Sequence, residues 1–238
     1  RDLGGRRRGL RVLPDGALRT VQLERRAFLK LSLGALAGLL VGCRAGSLFQ
    51  ASLDVDGLFD EVHPLADRLV KAATPDEEAY LARVAGLARE LAPLPAPDFP
   101  LGGDYAAVSL RKAYPVEILQ FRMERDAWMP CHDHRDYNGV LVGLEGEILS
   151  ARYEILGEEA VPRGVFQVKK TREERIVPGI VSTLARRREN LHELRAGSRG
   201  ARFLDVFTRF KPEAASHFLT LDPESSGVGE GIYEATWA

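Results

Sequence analysis

The sequence predicts a mainly β protein, an antiparallel sandwich or barrel preceded by a short helical segment, and three features carry the prediction. Beyond residue 104 the apolar pattern has a period of two. "AVSLRKAYPVEILQFRMER", "NGVLVGLEGEILSARYEIL", "GVFQVKKTREERIVPGIVSTLARR" and "ARFLDVFTRF" are β-branched and aromatic runs broken by Gly, Pro and charged turns. Before residue 92 the apolar residues recur at helical spacing instead. Between the two patterns, "APLPAPDFPLGG" carries four prolines and two glycines, sustains neither helix nor strand, and marks the best boundary in the chain. At 238 residues, 45% hydrophobic and 28% charged, the chain suits one sizeable domain with an appendage.

Residues 1–43 read as an export signal. The net charge of -1 conceals a basic start: residues 1–30 hold nine Lys/Arg and three Asp/Glu, whereas residues 43–238 hold 24 and 31. The acidic remainder argues against a nucleic-acid partner, which needs a basic face. In "ERRAFLKLSLGALAGLLVGC", Arg25 and Arg26 precede the apolar run Leu31–Gly42. As a helix that run rises only about 18 Å, too short for a bilayer core of about 30 Å. The stretch resembles a bacterial twin-arginine export signal, and "LVGC" resembles a lipobox whose Cys43 takes a lipid. The resemblance implies a protein folded before export and held by acyl chains at the periplasmic or outer cell-envelope face, with membrane contact through that anchor. Cys43 and Cys131 are the two cysteines; with Cys43 lipidated, no internal disulfide is available.

Residues 44–103 hold the helical segment and the linker. "DGLFDEVHPLADRLVKAA" has Leu58, Val62, Leu65, Leu69 and Val70 at helical spacing. "TPDEEAYLARVAGLARELA" offers Thr74 as N-cap, Pro75 at the first helical position and Glu77 three residues after the cap. Leu81, Val84, Ala88 and Leu91 fall on one face, so an antiparallel helix pair is expected.

Residues 104–238 carry the candidate site. On a strand, His132 and His134 of "HDH" share a face while Cys131 and Asp133 point away. Two imidazoles side by side are half of a metal site or an ordinary surface strand; the spacing alone leaves both open. After His134, four residues lead to Gly139 and six more to Gly146. The spacing resembles the first motif of the cupin superfamily, whose pattern puts a Glu ligand at the position of Gly139 and a Gly at that of Gly146. The resemblance implies a cupin-type antiparallel β-barrel, or jelly roll. With the carboxylate replaced by Gly139, it points to the thiol dioxygenase branch, where three His hold ferrous iron. "RENLHELRAGSRGARFLDVFTRF" resembles the "N-[IL]-H" element and "F-[LF]-D-[IV]" strand of cysteamine and N-terminal-cysteine dioxygenases, which makes His192 the third ligand.

What the resemblance implies is an oxidoreductase with Fe(2+) at His132, His134 and His192. Its substrates would be O2 and a small-molecule thiol or N-terminal Cys, the thiol emerging as a sulfinic acid. Asp205 matches the family's strand Asp, expected to orient water, substrate or an imidazole. Tyr233 in "GIYEATW" matches a tyrosine near the iron, and Gly231 stands where some members have a crosslinked Cys. Arg122 and Arg152 are candidates to receive a substrate carboxylate. Cys131 is expected to be a small buried hydrophobe, His63 and His217 surface residues, and the protein a monomer. Two other classes remain open: a non-catalytic cupin lipoprotein that binds metal or ligand, and a zinc hydrolase, since three His plus water also serve zinc.

Overall fold

The computed structural model describes residues 52–100, 102–157, 164–228 and 231–238; the expected export signal and lipobox lie outside the described residues. Two aspartates start the two helices. The carboxylate of Asp54 accepts the Gly57 N–H at 2.7 Å to open α1 (Val55–Lys71), and that of Asp76 accepts the Ala79 N–H at 3.0 Å to open α2 (Glu77–Ala88). The second cap is Asp76 and not the expected Thr74. An aspartate caps with a full negative charge, which the positive helix end favours over a neutral hydroxyl. The helices run antiparallel: the Leu53 N–H donates to Glu90 O and Leu53 O accepts the Ala92 N–H, tying the start of α1 to the end of α2. Among the described residues no helix is long and apolar enough to cross a membrane.

Among the described residues nine strands follow: β1 Tyr105–Ala113, β2 Val116–Met123, β3 Trp128–Asp133, β4 Tyr137–Leu156, β5 Phe166–Ile176, β6 Val181–Leu184, β7 Leu191–Arg209, β8 Leu219–Asp222 and β9 Ile232–Trp237. All pair antiparallel in the order β1-β2-β7-β4-β5-β9-β8, with β3 also on β7 and β6 on β4. The architecture is therefore mainly β, a sheet curled into a half-barrel with two helices on its outside. Leu58, Val62, Leu81 and Val84 of the helices pack on Ile118, Val140, Leu204 and Val206 of the sheet in one core. The Pro-rich linker is pinned to the same sheet, Leu94 O accepting from Arg202 Nη1 and Pro95 O from Gln120 Nε2.

The long strands β4 and β7 hold the half-barrel together, and each changes face midway. In β4, Gly139 and Leu141 face the interior; after register shifts at Gly143/Glu145 and Gly146/Ile148, the interior residues are Ile148, Ser150 and Arg152. In β7 the interior set passes from His192, Leu194 and Ala196 to Ala201, Phe203 and Asp205. An extra residue in one strand of a pair inverts the alternation and sharpens the bend. Gly146 sits at the crossing, at φ +67°, where an added Cβ would lie 2.0 Å from Gly200 O. The glycine expected from the motif spacing is thus required by a close backbone approach.

Candidate metal centre

His132 is the penultimate residue of β3, His134 follows that strand directly, and His192 is the second residue of β7, paired with His132 in register. The three side chains are buried, at 6%, 1% and 5% exposure, and their ring nitrogens all lie within 4.8 Å of one another. His192 Nε2 lies 3.0 Å from His132 Nε2 and 3.2 Å from His134 Nε2. The His132 Nδ1–H donates to Pro130 O at 2.9 Å, which leaves the lone pair of its Nε2 facing the other rings. Burial pulls the pKa of His132 below the usual imidazole value. It pulls those of His134 and His192 well below, with the neighbouring imidazoles and the Arg152 cation adding to the effect.

Neutral rings with converging nitrogens fit a metal ion better than they fit one another. One proton on His192 Nε2 can serve one neighbour, and the other nitrogen then faces a group with nothing to donate. Ligand nitrogens about 2.1 Å from a divalent ion stand about 3.0 Å apart across a right angle and about 3.4 Å apart across a tetrahedral one. The separations of 3.0 and 3.2 Å fall in that interval. Among the described residues, the group of His, Cys, Asp and Glu atoms close enough to share an ion is these three histidines, with no carboxylate. Imidazole suits Fe, Zn, Cu and Ni, so the donor set indicates a transition metal without choosing among them.

Asp205 occupies the space that Gly139 leaves. A Cβ on Gly139 would come within 3.1 Å of Asp205 Oδ1, so the carboxyl group reaches from β7 into the room a side chain at 139 would need. Asp205 Oδ1 has no hydrogen-bond partner among the described residues, and burial raises the carboxyl pKa well above the usual value, against a smaller lowering by the Val206 N–H. It forms no hydrogen bond to an imidazole; the Pro130 carbonyl orients His132 instead, and His134 Nδ1 has no partner among the described residues. Asp205 nevertheless lines the same cavity as His134, His192, Gly139, Leu141, Ser150, Arg152, Ser182 and Thr183. That cavity encloses about 10 Å³, room for one water molecule.

The remaining expectations divide. Arg152 lines the cavity, 3% exposed and in register with His192, whereas Arg122 pairs with Glu124 and lies over the Phe99 ring. Tyr233 is not brought to the histidines. Its ring meets that of Tyr153, 6.0 Å between centroids, in an outer-face cluster with Cys131, Leu191 and Leu219. The reason is alternation: Tyr153 follows Arg152, and Leu191 precedes His192, so this cluster faces away from the imidazoles. Cys131 is fully buried there, its thiol pKa pushed up by burial. Asp133 also turns away from the other rings, accepting the His217 backbone N–H at 2.8 Å and bonding Arg135. The His217 side chain is 55% exposed beside it, and His63 meets Tyr114 O from α1.

Two aromatic neighbours were missed in the sequence. The buried Tyr137 ring lies 4.2 Å from that of His134, with its hydroxyl on Ser216, and Phe207 packs against both rings. Tyr137 stands three residues after His134 in "HDHRDY", a proximity that could have flagged it.

No protein-family model and no curated protein sequence matches the chain. Among solved structures it is similar to an oxalate oxidase in complex with glycolate, at 14% identity and TM-score 0.39, over 52% of this chain and 59% of that one. It thus spans about three fifths of that oxidase's length. It is also similar to KdgF from Halomonas sp., at 14% identity and TM-score 0.34 over 46% and 84% of the two chains. The Schizosaccharomyces pombe Cnp3 cupin domain matches at 16% identity and TM-score 0.36, over 47% and 69%.

Proposed function

We propose that the protein is a cupin-type, non-haem iron thiol dioxygenase that converts a thiol and O2 to a sulfinic acid, R–SH + O2 → R–SO2H. The observation that carries the reading is the donor set: three converging neutral imidazoles, with Gly139 where a fourth, carboxylate ligand would stand. Ferrous iron held by His132, His134 and His192 would supply a cation that lowers the thiol pKa and an electron source for O2.

The chain's own residues set the conditions for that chemistry. Burial keeps the imidazoles unprotonated, so their lone pairs stay available near neutral pH. The Pro130 carbonyl holds the His132 proton on Nδ1 and aims Nε2 inward. Asp205, whose carboxyl pKa burial raises well above the usual value, lines the cavity wall beside Gly139 and can bond a polar group entering there. Leu141, Leu184 and the Tyr137 and Phe207 rings exclude bulk water. The resemblance of residues 1–43 to an export signal supports, on our reading, activity at the cell-envelope side of the membrane.

Sulfinate formation and O2 uptake by iron-loaded protein, with cysteine, cysteamine, 3-mercaptopropionate and an N-terminal-Cys peptide, test the reading; no sulfinate from any of them refutes it. The narrowness of the cavity favours a second reading, a metal- or ligand-binding cupin without turnover. That reading expects bound metal and no O2 uptake.

A further inference from the structure

The cavity beside the histidines holds about 10 Å³, room for one water molecule, so any ligand larger than water needs a wall to move. The walls are unequal. β4 and β7 are long and paired on both sides, whereas β6, four residues long, pairs with β4 alone among the described residues. Ser182, Thr183 and Leu184 of this short strand line the cavity, Ser182 and Leu184 standing opposite the inward Leu141 and Gly139. A residue of left-handed φ brackets the segment on each side, Gly179 at +82° and Glu189 at +49°. Such turn positions are where a moving segment absorbs its change of backbone angles, and a non-glycine residue keeps that conformation only where its surroundings hold it.

A carboxylate from the helix pair holds β6 in place. Glu77, the first residue of α2, has a side chain 14% exposed. Its Oε1 accepts from Asn138 Nδ2 at 3.0 Å and from the Arg186 backbone N–H at 3.1 Å, and Arg186 Nε lies 3.5 Å away. Asn138 is 1% exposed and precedes Gly139 in β4; Arg186 stands two residues past the end of β6, its guanidinium 3.3 Å from the centroid of the Phe210 ring. One oxygen thus ties two walls of the cavity to the same helix turn. Val181 and Ala185, at either end of β6, pack against the core that the helices share with the sheet. Across the free edge of β6 the hold passes through one side chain, Ser182, which bonds Arg152 and Glu174. A short edge strand belongs to the low-stability end of a fold, and hydrogen bonds to an ionised carboxylate are about twice as strong as neutral ones, so this one contact weighs heavily on β6.

We propose that Glu77 is a positioning residue for the metal centre: it holds β6 closed over the three histidines, and its release opens the path by which a ligand larger than water reaches them. The inference rests on the three histidines being a metal centre and not on thiol oxidation. It gives the helix pair a task at the site although neither helix contributes a residue to the cavity wall.

Two rates test it, both well below the melting temperature: amide hydrogen exchange in β6 against β7, and removal of cobalt(II) from the loaded protein by excess chelator. E77A should speed both β6 exchange and cobalt loss about tenfold or more, the ordinary worth of a hydrogen bond to a charged group, while β7 exchange stays as in the wild type. E77Q keeps the acceptor and loses the charge, so it should fall between, about threefold or more above the wild type. A82G, at an exposed position inside α2, weakens the same helix without touching β6; it should lower the melting temperature and leave both rates within about twofold. If E77A fails to fold by circular dichroism, E77Q decides alone. Rates unmoved by the Glu77 variants, β6 and β7 exchange speeded alike, or A82G acting as strongly as E77A would overturn the inference. Faster β6 exchange with unchanged cobalt loss overturns it too, since the ion then leaves past another wall. Should cobalt not bind at all, the metal-centre reading falls and the inference with it, whatever β6 exchange shows.

Discussion

Replacing Asp205 by Asn should make the metal-free protein more stable, and increasingly so as the pH rises. The Asp205 carboxyl is 5% exposed, its Oδ1 lacks a partner, and burial raises its pKa well above the usual value. A carboxyl raised in the native state supports folding fully only below its unfolded value, near about 3.9, and that support is lost as pH climbs towards the folded value. Across that window each pH unit removes about 1.4 kcal/mol from the wild type and nothing from an amide of nearly the same shape. Neither His134 nor His192 owes its shift to Asp205, so their titration is common to both proteins and drops out of the difference. Urea denaturation of chelator-treated wild type and D205N at pH values rising from about 4.5 measures the gap, expected to widen by about 1.4 kcal/mol per unit until the folded value is reached. A gap that stays flat over those pH values means an Asp205 that ionises normally, and the account of a neutral carboxyl filling the space above Gly139 then fails.

Other outcomes follow from the same geometry. His132→Ala, His134→Ala or His192→Ala should each lower metal affinity about tenfold or more, read by elemental analysis after dialysis against a weak chelator, since each removes one of three donors. Metal-free protein should lose thermal stability as pH falls below about 6.5, because imidazoles with depressed native pKa values support folding above the unfolded value and lose that support on protonation; melting at descending pH checks it. Gly146→Ala should cost at least about 2 kcal/mol in urea, from left-handed strain and the overlap with Gly200 O. Tyr233→Phe should leave sulfinate turnover within about twofold of wild type, since the ring packs on Tyr153 away from the imidazoles.

The parts of this site legible in the sequence are those whose geometry is local. His132 and His134 share a face by simple alternation, and the count to Gly146 marks a place where the backbones of β4 and β7 come too close for any Cβ. His192 lies far along the chain, yet it pairs with His132 across a single strand interface, so its motif could be read in isolation. Position 76 shows a local choice that propensity alone leaves unresolved: Thr74 and Asp76 both offer caps, and the charged one opens the helix.

Arg152 and Tyr233 were both candidates from the sequence, but the face each takes was illegible for one shared reason. Assigning a face to either requires carrying the alternation of β4 past the extra residue it inserts between Gly143 and Glu145, which inverts every later side chain of that strand, whereas at the second shift the extra residues lie on β7. Strict alternation from the inward Gly139 and Leu141 would turn Tyr153 inward and Arg152 outward; the extra β4 residue between Gly143 and Glu145 instead puts Arg152 beside His192 and Tyr153 on the outer face, where Tyr233 meets it. The bulges that bend the sheet around its histidines thus also select which charged residue reaches them. A change by one in the number of β4 residues between Gly143 and Ile148 would therefore exchange the buried cation for an aromatic ring while leaving all three histidines in place.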